Sequence, residues 1–315
     1  MSDSPLFSIS HKPVLYQEIL HILCPKSPGK YVDATVGAGG HAWGILNASQ
    51  PDGKLLGLDL DPQALEIAFQ RLDIFQGRVQ LVQASYTTLR NQLDFFSWDM
   101  VDGILFDLGV SSMELDDADR GFSFLADGPL DMRFDPGNPT TADLLVNQLP
   151  ETELADLIWR YGDEPQSRRL ARAIVDSRPL HSTLELAEVI RKTYRGARER
   201  IHPATRTFQA LRIAVNQELE AIENVLPVAA KALAPGGRMA VISFHSLEDR
   251  IVKNFFRKES TDCLCPPTQP VCTCGHRATL RLLTHHSITA KEAEILSNPR
   301  ARSARLRAAE KLTLA

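Results

Sequence analysis

Tyr31-Val32-Asp33-Ala34-Thr35-Val36-Gly37-Ala38-Gly39-Gly40-His41, followed by Lys54-Leu55-Leu56-Gly57-Leu58-Asp59-Leu60-Asp61, is the stretch that decides the fold. An apolar strand runs into a glycine loop, a helix opens near His41, and a second apolar strand ends in acids. In an open α/β sheet this arrangement holds a nucleoside cofactor. Asp59 follows Gly37 by 22 residues, close to the spacing of about 20 at which a carboxylate grips ribose hydroxyls. The loop lacks the third glycine of G-x-G-x-x-G, and a dinucleotide needs a helix N-terminus free to meet its pyrophosphate. S-adenosylmethionine has no phosphate; it requires close backbone approach and a ribose clamp. The loop therefore points to a methyltransferase.

Working outward, short apolar runs bounded by Gly, Pro or Asp predict strands at 31–36, 54–60, 79–83, 101–108 and 238–244. Helical patterns lie between them at 41–48, at 62–72 opened by Asp61, and at 86–96. Alternating strands and helices give a parallel sheet with right-handed crossovers. Ser246-Leu247-Glu248-Asp249 reads as a capping box opening a helix with Ile251, Val252, Phe255 and Phe256 inward. Two late extended runs, 279–283 and 304–312, complete the usual methyltransferase layout. The predicted fold is an α/β class I, Rossmann-like methyltransferase sheet.

The stretch from Leu108 to about Asn216 is far longer than a crossover helix needs. Amphipathic patterns at 151–161 (stopped by Gly162), 166–176, 184–194 (capped by Thr183) and 205–223 predict an inserted helical subdomain. Pro227 predicts a kink or a new helix start. The expected organisation is a first methyltransferase part over 1–112, an inserted substrate-recognition part over 113–215, and a second methyltransferase part over 216–315.

The 315 residues are 43% apolar, ample for a packed core. No apolar run reaches the roughly 18 residues of a membrane span. Residues 1–12 are polar and lack an apolar signal core, so a cytoplasmic enzyme is expected. The net charge of -4 argues against blanket phosphate binding, but the charge is unevenly spread. From Arg191 to Arg212 there are seven Lys/Arg, Arg198 and Arg200 among them, against one Glu; from Arg277 to Lys311 there are eight against three. Such segments read either as a localised nucleic-acid footprint or as solvated helix faces. Cys263, Cys265, Cys272 and Cys274 form C-x-C-x6-C-x-C with His276 just beyond. They read either as a small structural zinc knuckle or as a reduced, metal-free, Pro-rich loop. No metal is assigned to the catalytic site.

Ligands of open α/β sheets sit at the carboxyl ends of the strands. Those ends deliver Gly37, Gly39, Gly40 and His41, then Asp59 and Asp61, then Tyr86, then Asp107, then His245. Asp59 is the better ribose ligand, because Asp61-Pro62 is also a helix start. Tyr86 offers adenine a flat face or packs in the core. His245 is either catalytic or a hydrogen-bonded structural histidine. Carbon-5 methylation of a pyrimidine needs a nucleophilic thiolate, and no Cys lies near the fourth or fifth strand. An exocyclic amine needs only its N–H accepted and its lone pair aligned, which is positioning chemistry. Asp107 can supply the accepting oxygen and is the candidate catalytic residue.

Several segments in combination resemble the ribosomal RNA small-subunit methyltransferase H family, also called MraW. They are His11-Lys12-Pro13-Val14-Leu15, the 33–41 loop, Phe106-Asp107-Leu108-Gly109-Val110-Ser111-Ser112 and Arg120-Gly121-Phe122-Ser123-Phe124. They continue with Gly128-Pro129-Leu130-Asp131-Met132-Arg133, residues 202–212, residues 243–253 and Asn298-Pro299-Arg300-Ala301-Arg302-Ser303-Ala304. The resemblance implies S-adenosylmethionine-dependent N4-methylation of the cytidine at position 1402, in the decoding centre of 16S rRNA. It also implies that the helical insertion helps to recognise the RNA of the small subunit. The implied cofactor positions are Gly39, Gly40, His41, Asp59, Tyr86, Asp107 and Glu114. Tyr86 stands where the family often has Phe and keeps the stacking face. Glu114 stands where Gln is common, and its charge can pair with the methionine ammonium. The competing reading of another class is a non-catalytic RNA-binding factor that retains the cofactor fold.

Overall fold

The structure, a computed structural model, describes residues 13–194, 202–266, 268–269 and 271–313. It divides into two compact units, Met1–Gly109 with Ile222–Ala315, and Val110–Ala221. The chain leaves the first unit at Gly109, whose φ of 89° is a left-handed turn that glycine adopts without penalty.

The first unit is a seven-stranded sheet of β1 (Lys30–Asp33), β2 (Lys54–Asp59), β3 (Val79–Gln83), β4 (Val101–Asp107), β5 (Leu233–Ser243), β6 (Leu280–Leu282) and β7 (Arg305–Lys311). The order is β3-β2-β1-β4-β5-β7-β6, with β1 to β5 parallel and β7 antiparallel to both neighbours. This is the class I methyltransferase sheet. Alternate residues feed opposite faces: Val32, Leu56, Ile104 and Val241 enter one core, Tyr31, Leu55, Leu105 and Ile242 the other. Both faces are covered by helices, which is why the strands read as continuous apolar runs. The order reverses between β1 and β4, and the crevice outside that switch point is where such sheets bind ligands.

Several local expectations are corrected. The pattern at 86–96 forms a 3-10 turn, Tyr86–Thr88, before the helix Leu89–Phe95. The single helix expected over 205–223 is two, Ala204–Asn216 and Glu218–Ala232, broken at Gln217 with φ 51°. The apolar periodicity carries through that break, so the pattern alone hides it. No new helix starts at Pro227, which lies inside the second of these. The caps are Ser182 rather than Thr183, and His245 rather than Ser246. β5 begins five residues early, at Leu233, crossing Gly236-Gly237 with a register irregularity opposite Val101 and Gly103.

The second unit packs the helices Ala142–Gln148, Glu151–Gly162, Ser167–Asp176, Thr183–Thr193 and Ala204–Asn216. Their core includes Leu154, Ile158, Leu170, Ile174, Leu186 and Phe208. A Cβ on Gly162 would lie 2.7 Å from the Arg206 carbonyl oxygen, so glycine at this stop signal also lets two helices approach. No helix among the described residues is long and apolar enough to cross a membrane.

Candidate active site

The glycine loop leaves β1 still paired to its neighbours: Ala34 N–H donates to the Leu105 carbonyl and Val36 N–H to that of Leu58. Its three glycines do different work. Gly37 has φ 49°, and a Cβ there would meet only the Thr35 carbonyl oxygen, at 4.0 Å. Gly39 has φ 77°, and its Cβ would press on Ala68 and Leu72 at 3.3 Å. A Cβ on Gly40 would collide with the Pro13 ring. Gly39 and Gly40 are thus required by packing, and their backbone opens the helix Gly40–Ala48. The first amides of a helix have no intrahelical acceptor. Gly37 is the glycine whose missing side chain leaves space.

Asp59 closes this loop. Its Oδ2 accepts from Gly37 N–H at 2.8 Å and its Oδ1 from Asp61 N–H at 2.9 Å. Burial pushes its carboxyl above the usual carboxylate range, against the pull of these two bonds. Asp61 accepts from Gln63 N–H at 2.8 Å and caps the helix Pro62–Leu72, with the proline at its start.

Asp107 ends β4. Its own N–H donates to Thr35 Oγ1 at 2.7 Å, locking the tips of β1 and β4 together across the switch point. Its Oδ2 lies 3.7 Å from His41 Nε2, while its Oδ1 is buried with no hydrogen-bond partner among the described residues. The side chain keeps 26% of its surface open. Burial, then the charges of Asp33 and Glu248, push its pKa up to about 8. Asp33, the buried last residue of β1, is pushed up to about 7 by burial, against the Thr35 N–H bond and with the Asp59 charge adding to the rise. Glu248 is fully buried and accepts from Phe244 and His245 N–H at 2.8 and 3.3 Å. The strand tips therefore gather Asp33, Asp59, Asp107 and Glu248 into an acidic patch suited to a cationic ligand.

Around these acids, His41 is buried with its ring stacked on Tyr16 at 6.1 Å. Tyr86 sits at the β3 tip, half-buried, edge-on to Phe106 at 5.9 Å. His245 Nε2 lies 3.1 Å from Glu248 Oε1 without a hydrogen bond between them, so both readings of that histidine stay open. Asp33, Thr35 and Glu248 were not singled out in the sequence. The rule that found Asp107, an acid ending an apolar strand, finds Asp33 too; Glu248 lies in the stretch read as a capping box, and the Thr35 contact with Asp107 carries no local signal.

Glu114 belongs to the second unit. It is buried at the third position of the helix Ser112–Asp116, where its Oε2 accepts from Ser111 N–H at 2.7 Å in a capping box. Its Oε1 lies 3.7 Å from Arg120 Nη2. In the basic segment, Arg191 and Lys192 pair with Glu188, Arg206 with Glu164, and Arg212 with Glu218 in a bidentate bridge at 2.8 and 2.9 Å. Arg198 and Arg200 lie outside the described residues, as do His11 and Lys12. In the tail, Arg281 and Arg307 pair with Glu310 and Asp249.

The sequence pattern of the MraW methylase family matches residues 8–312. A ribosomal RNA small subunit methyltransferase H of Geobacter sulfurreducens is 52% identical over 310 residues, spanning 97% of this chain and 100% of that protein. One of the same name from Thermomicrobium roseum is 50% identical over 313 residues, spanning 98% of this chain and 96% of that protein. One from Heliobacterium mobile is 49% identical over 308 residues, spanning 96% and 99%. Half the residues shared along almost the full length, on a class I sheet with acids at its switch point, mean that this chain belongs to the MraW methylase family.

Proposed function

We propose that this protein transfers a methyl group from S-adenosylmethionine to the exocyclic N4 of a cytidine in the decoding centre of 16S rRNA. The family and the names of its relatives support methyl transfer to small-subunit ribosomal RNA. The observation that carries the amine is Asp107 Oδ1, a buried acceptor at the tip of β4 without a partner among the described residues. A buried polar atom without a partner is costly, and an N–H of the target amine would satisfy it.

The residues present fit the methyl donor. Gly37 leaves room for a ligand against the backbone and Asp59 is placed to hold ribose hydroxyls; a bound sulfonium and ammonium would favour ionisation of the strand-tip acids, whose carboxyls burial pushes up. When bound, S-adenosylmethionine supplies an electrophilic methyl group. The Gly39, Gly40 and His41 backbone lines its seat, and Tyr86 offers adenine a flat side. Asp107 accepts an N4–H, which turns the nitrogen lone pair toward the methyl carbon. Asp107 would take the proton that the amine loses on methylation. A carboxyl pushed up to about 8 is well matched to take that proton near neutral pH. Among the described residues no cysteine stands at the carboxyl end of β1 to β5. Cys24 caps the helix Tyr16–Leu23, and the other four follow the helix Ser246–Glu259. Covalent addition to a ring carbon therefore has no thiolate to use. The helices of Val110–Ala221 are assigned to RNA recognition on the family resemblance.

The test is mass-spectrometric mapping of small subunits lacking their own methylation, after incubation with the protein and labelled donor. One N4-methylated cytidine in the decoding centre is expected. A methyl on ring carbon would overturn the amine reading. Tight RNA binding without transfer would favour a non-catalytic factor that keeps the cofactor fold.

A further inference from the structure

Four thiols converge on a loop that has no core to gather them. Between the helix Ser246–Glu259 and β6, the described residues form no helix or strand, and none is buried. Yet Cys263 Sγ lies 3.5 Å from Cys272 Sγ and 3.9 Å from Cys274 Sγ, and Cys272 Sγ lies 3.6 Å from Cys274 Sγ. With Cys265 included, all four sulfurs lie within 4.8 Å of one another. Hydrophobic burial does not explain this, because Cys263, Cys272 and Cys274 are exposed and Cys265 only half-buried.

The distances have a simple geometric meaning. Four sulfurs at about 2.3 Å from a common zinc ion form a tetrahedron with edges of about 3.8 Å. A disulfide would need about 2.05 Å. The three edges among Cys263, Cys272 and Cys274, 3.5 to 3.9 Å, match one face of that tetrahedron, and Cys265 Sγ lies within 4.8 Å of all three. The two C-x-C hooks also interlock through the backbone. Leu264 N–H donates to Cys274 Sγ at 3.3 Å and Thr273 N–H to Cys265 Sγ at 3.4 Å. Each hook thus supports a sulfur of the other, the kind of outer contact that orients a metal ligand. His276 is not the fourth ligand; its Nε2 lies 3.0 Å from the Lys258 carbonyl oxygen, on the preceding helix.

We propose that Cys263, Cys265, Cys272 and Cys274 bind one zinc ion as a structural site that folds the loop between the helix Ser246–Glu259 and β6. Four thiolates fill every position of a tetrahedral ion, so no place is left for a reacting water. Soft sulfur ligands in this geometry select zinc or iron, and zinc is the ion of a redox-silent clip. The site lies apart from the strand tips and is independent of the methyl-transfer reading.

The full-length protein, purified without chelator and reconstituted with zinc, is measured by elemental analysis and by X-ray absorption at the zinc edge. About one zinc per chain with four sulfur neighbours near 2.3 Å is expected. Alkylation should modify Cys24 alone until a strong chelator exposes the other four thiols. Zinc should fall to background in the double variant Cys265→Ser/Cys272→Ser and stay at one in Cys24→Ser. Should the double variant fail to fold, the absorption spectrum of the unaltered protein decides by its sulfur count. Substoichiometric zinc after reconstitution, iron held in preference to zinc, disulfides among the four cysteines, or full zinc in a folded double variant would each overturn the site.

Discussion

Gly37 N–H donates to Asp59 Oδ2 at 2.8 Å, so the tip of the second strand holds the glycine loop of the first. One carboxylate fixes the loop through both oxygens, and under the proposed function its remaining lone pairs would meet ribose. Replacing it with Asn exchanges one acceptor for a donor facing a backbone N–H. Hydrogen bonds to a charged group contribute about 1.5–3 kcal/mol, so Asp59→Asn should weaken S-adenosylmethionine binding by about 10- to 100-fold. Calorimetric titration checks this; unchanged affinity would leave Asp59 as a loop anchor only.

The glycines separate affinity from stability. Gly37→Ala meets open space but keeps a left-handed φ, which costs about 1–2 kcal/mol, and its methyl intrudes on the ligand face. Gly40→Ala drives a methyl into Pro13. Gly37→Ala should stay folded and lose cofactor affinity; Gly40→Ala should lose stability first. Thermal melts with and without cofactor distinguish them, and the opposite ranking would refute the assignment.

Two strand-tip acids make stability depend on pH. Folding raises Asp33 to about 7 and Asp107 to about 8, from an unfolded value of about 3.9. Between these limits the folded protein holds more protons than the unfolded chain, so stability falls as pH rises. The contribution is fully present below about 4 and lost above about 8. Urea midpoints should decline from pH 5 to pH 9 at constant slope, and Asp107→Asn should flatten the decline. A midpoint that rises with pH would contradict the burial of these groups.

Methyl transfer should run the other way. The accepting form of Asp107 is the carboxylate, so turnover should climb with pH toward about 8. Asp107→Asn should remain folded and lose roughly 10²–10⁴ in rate, the usual worth of a positioned acid or base. Single-turnover transfer on undermethylated subunits measures it, and a folded variant with normal rate removes Asp107 from the chemistry.

On the far side of β5, Arg307 and Asp249 form a buried bidentate pair at 2.6 and 3.0 Å. Removing one partner strands the other, so Asp249→Ala should cost about 3–5 kcal/mol, read from denaturant unfolding. A loss below about 1 kcal/mol would class the pair with exposed ion pairs.

The order of elements was legible because the central strands of a doubly covered sheet are short, mostly apolar runs, buried on both faces. Asp59 and Asp107 were legible for the same reason: an acid after such a run marks the strand tip. What escaped were the ends of helices. The break at Gln217 interrupts an apolar stripe that stays in phase. The cap at His245 depends on which N–H groups Glu248 meets.

By itself, the sequence determined a class I sheet with a helical insertion, the methyl donor, and the short roster of residues at the strand tips. Local patterning suffices for these, since hydrophobic period and spacing lie within one element or its neighbour. Only the tertiary structure decided how each residue is held there. It separated Gly37, which leaves space, from Gly39 and Gly40, which packing demands. It joined Asp107 N–H to Thr35, 72 residues away, and added Asp33 to the acids. It drew four thiols, three of them exposed, to within 4.8 Å of one another. Those are facts of distance between residues remote in the chain, and neither composition nor periodicity records such distances.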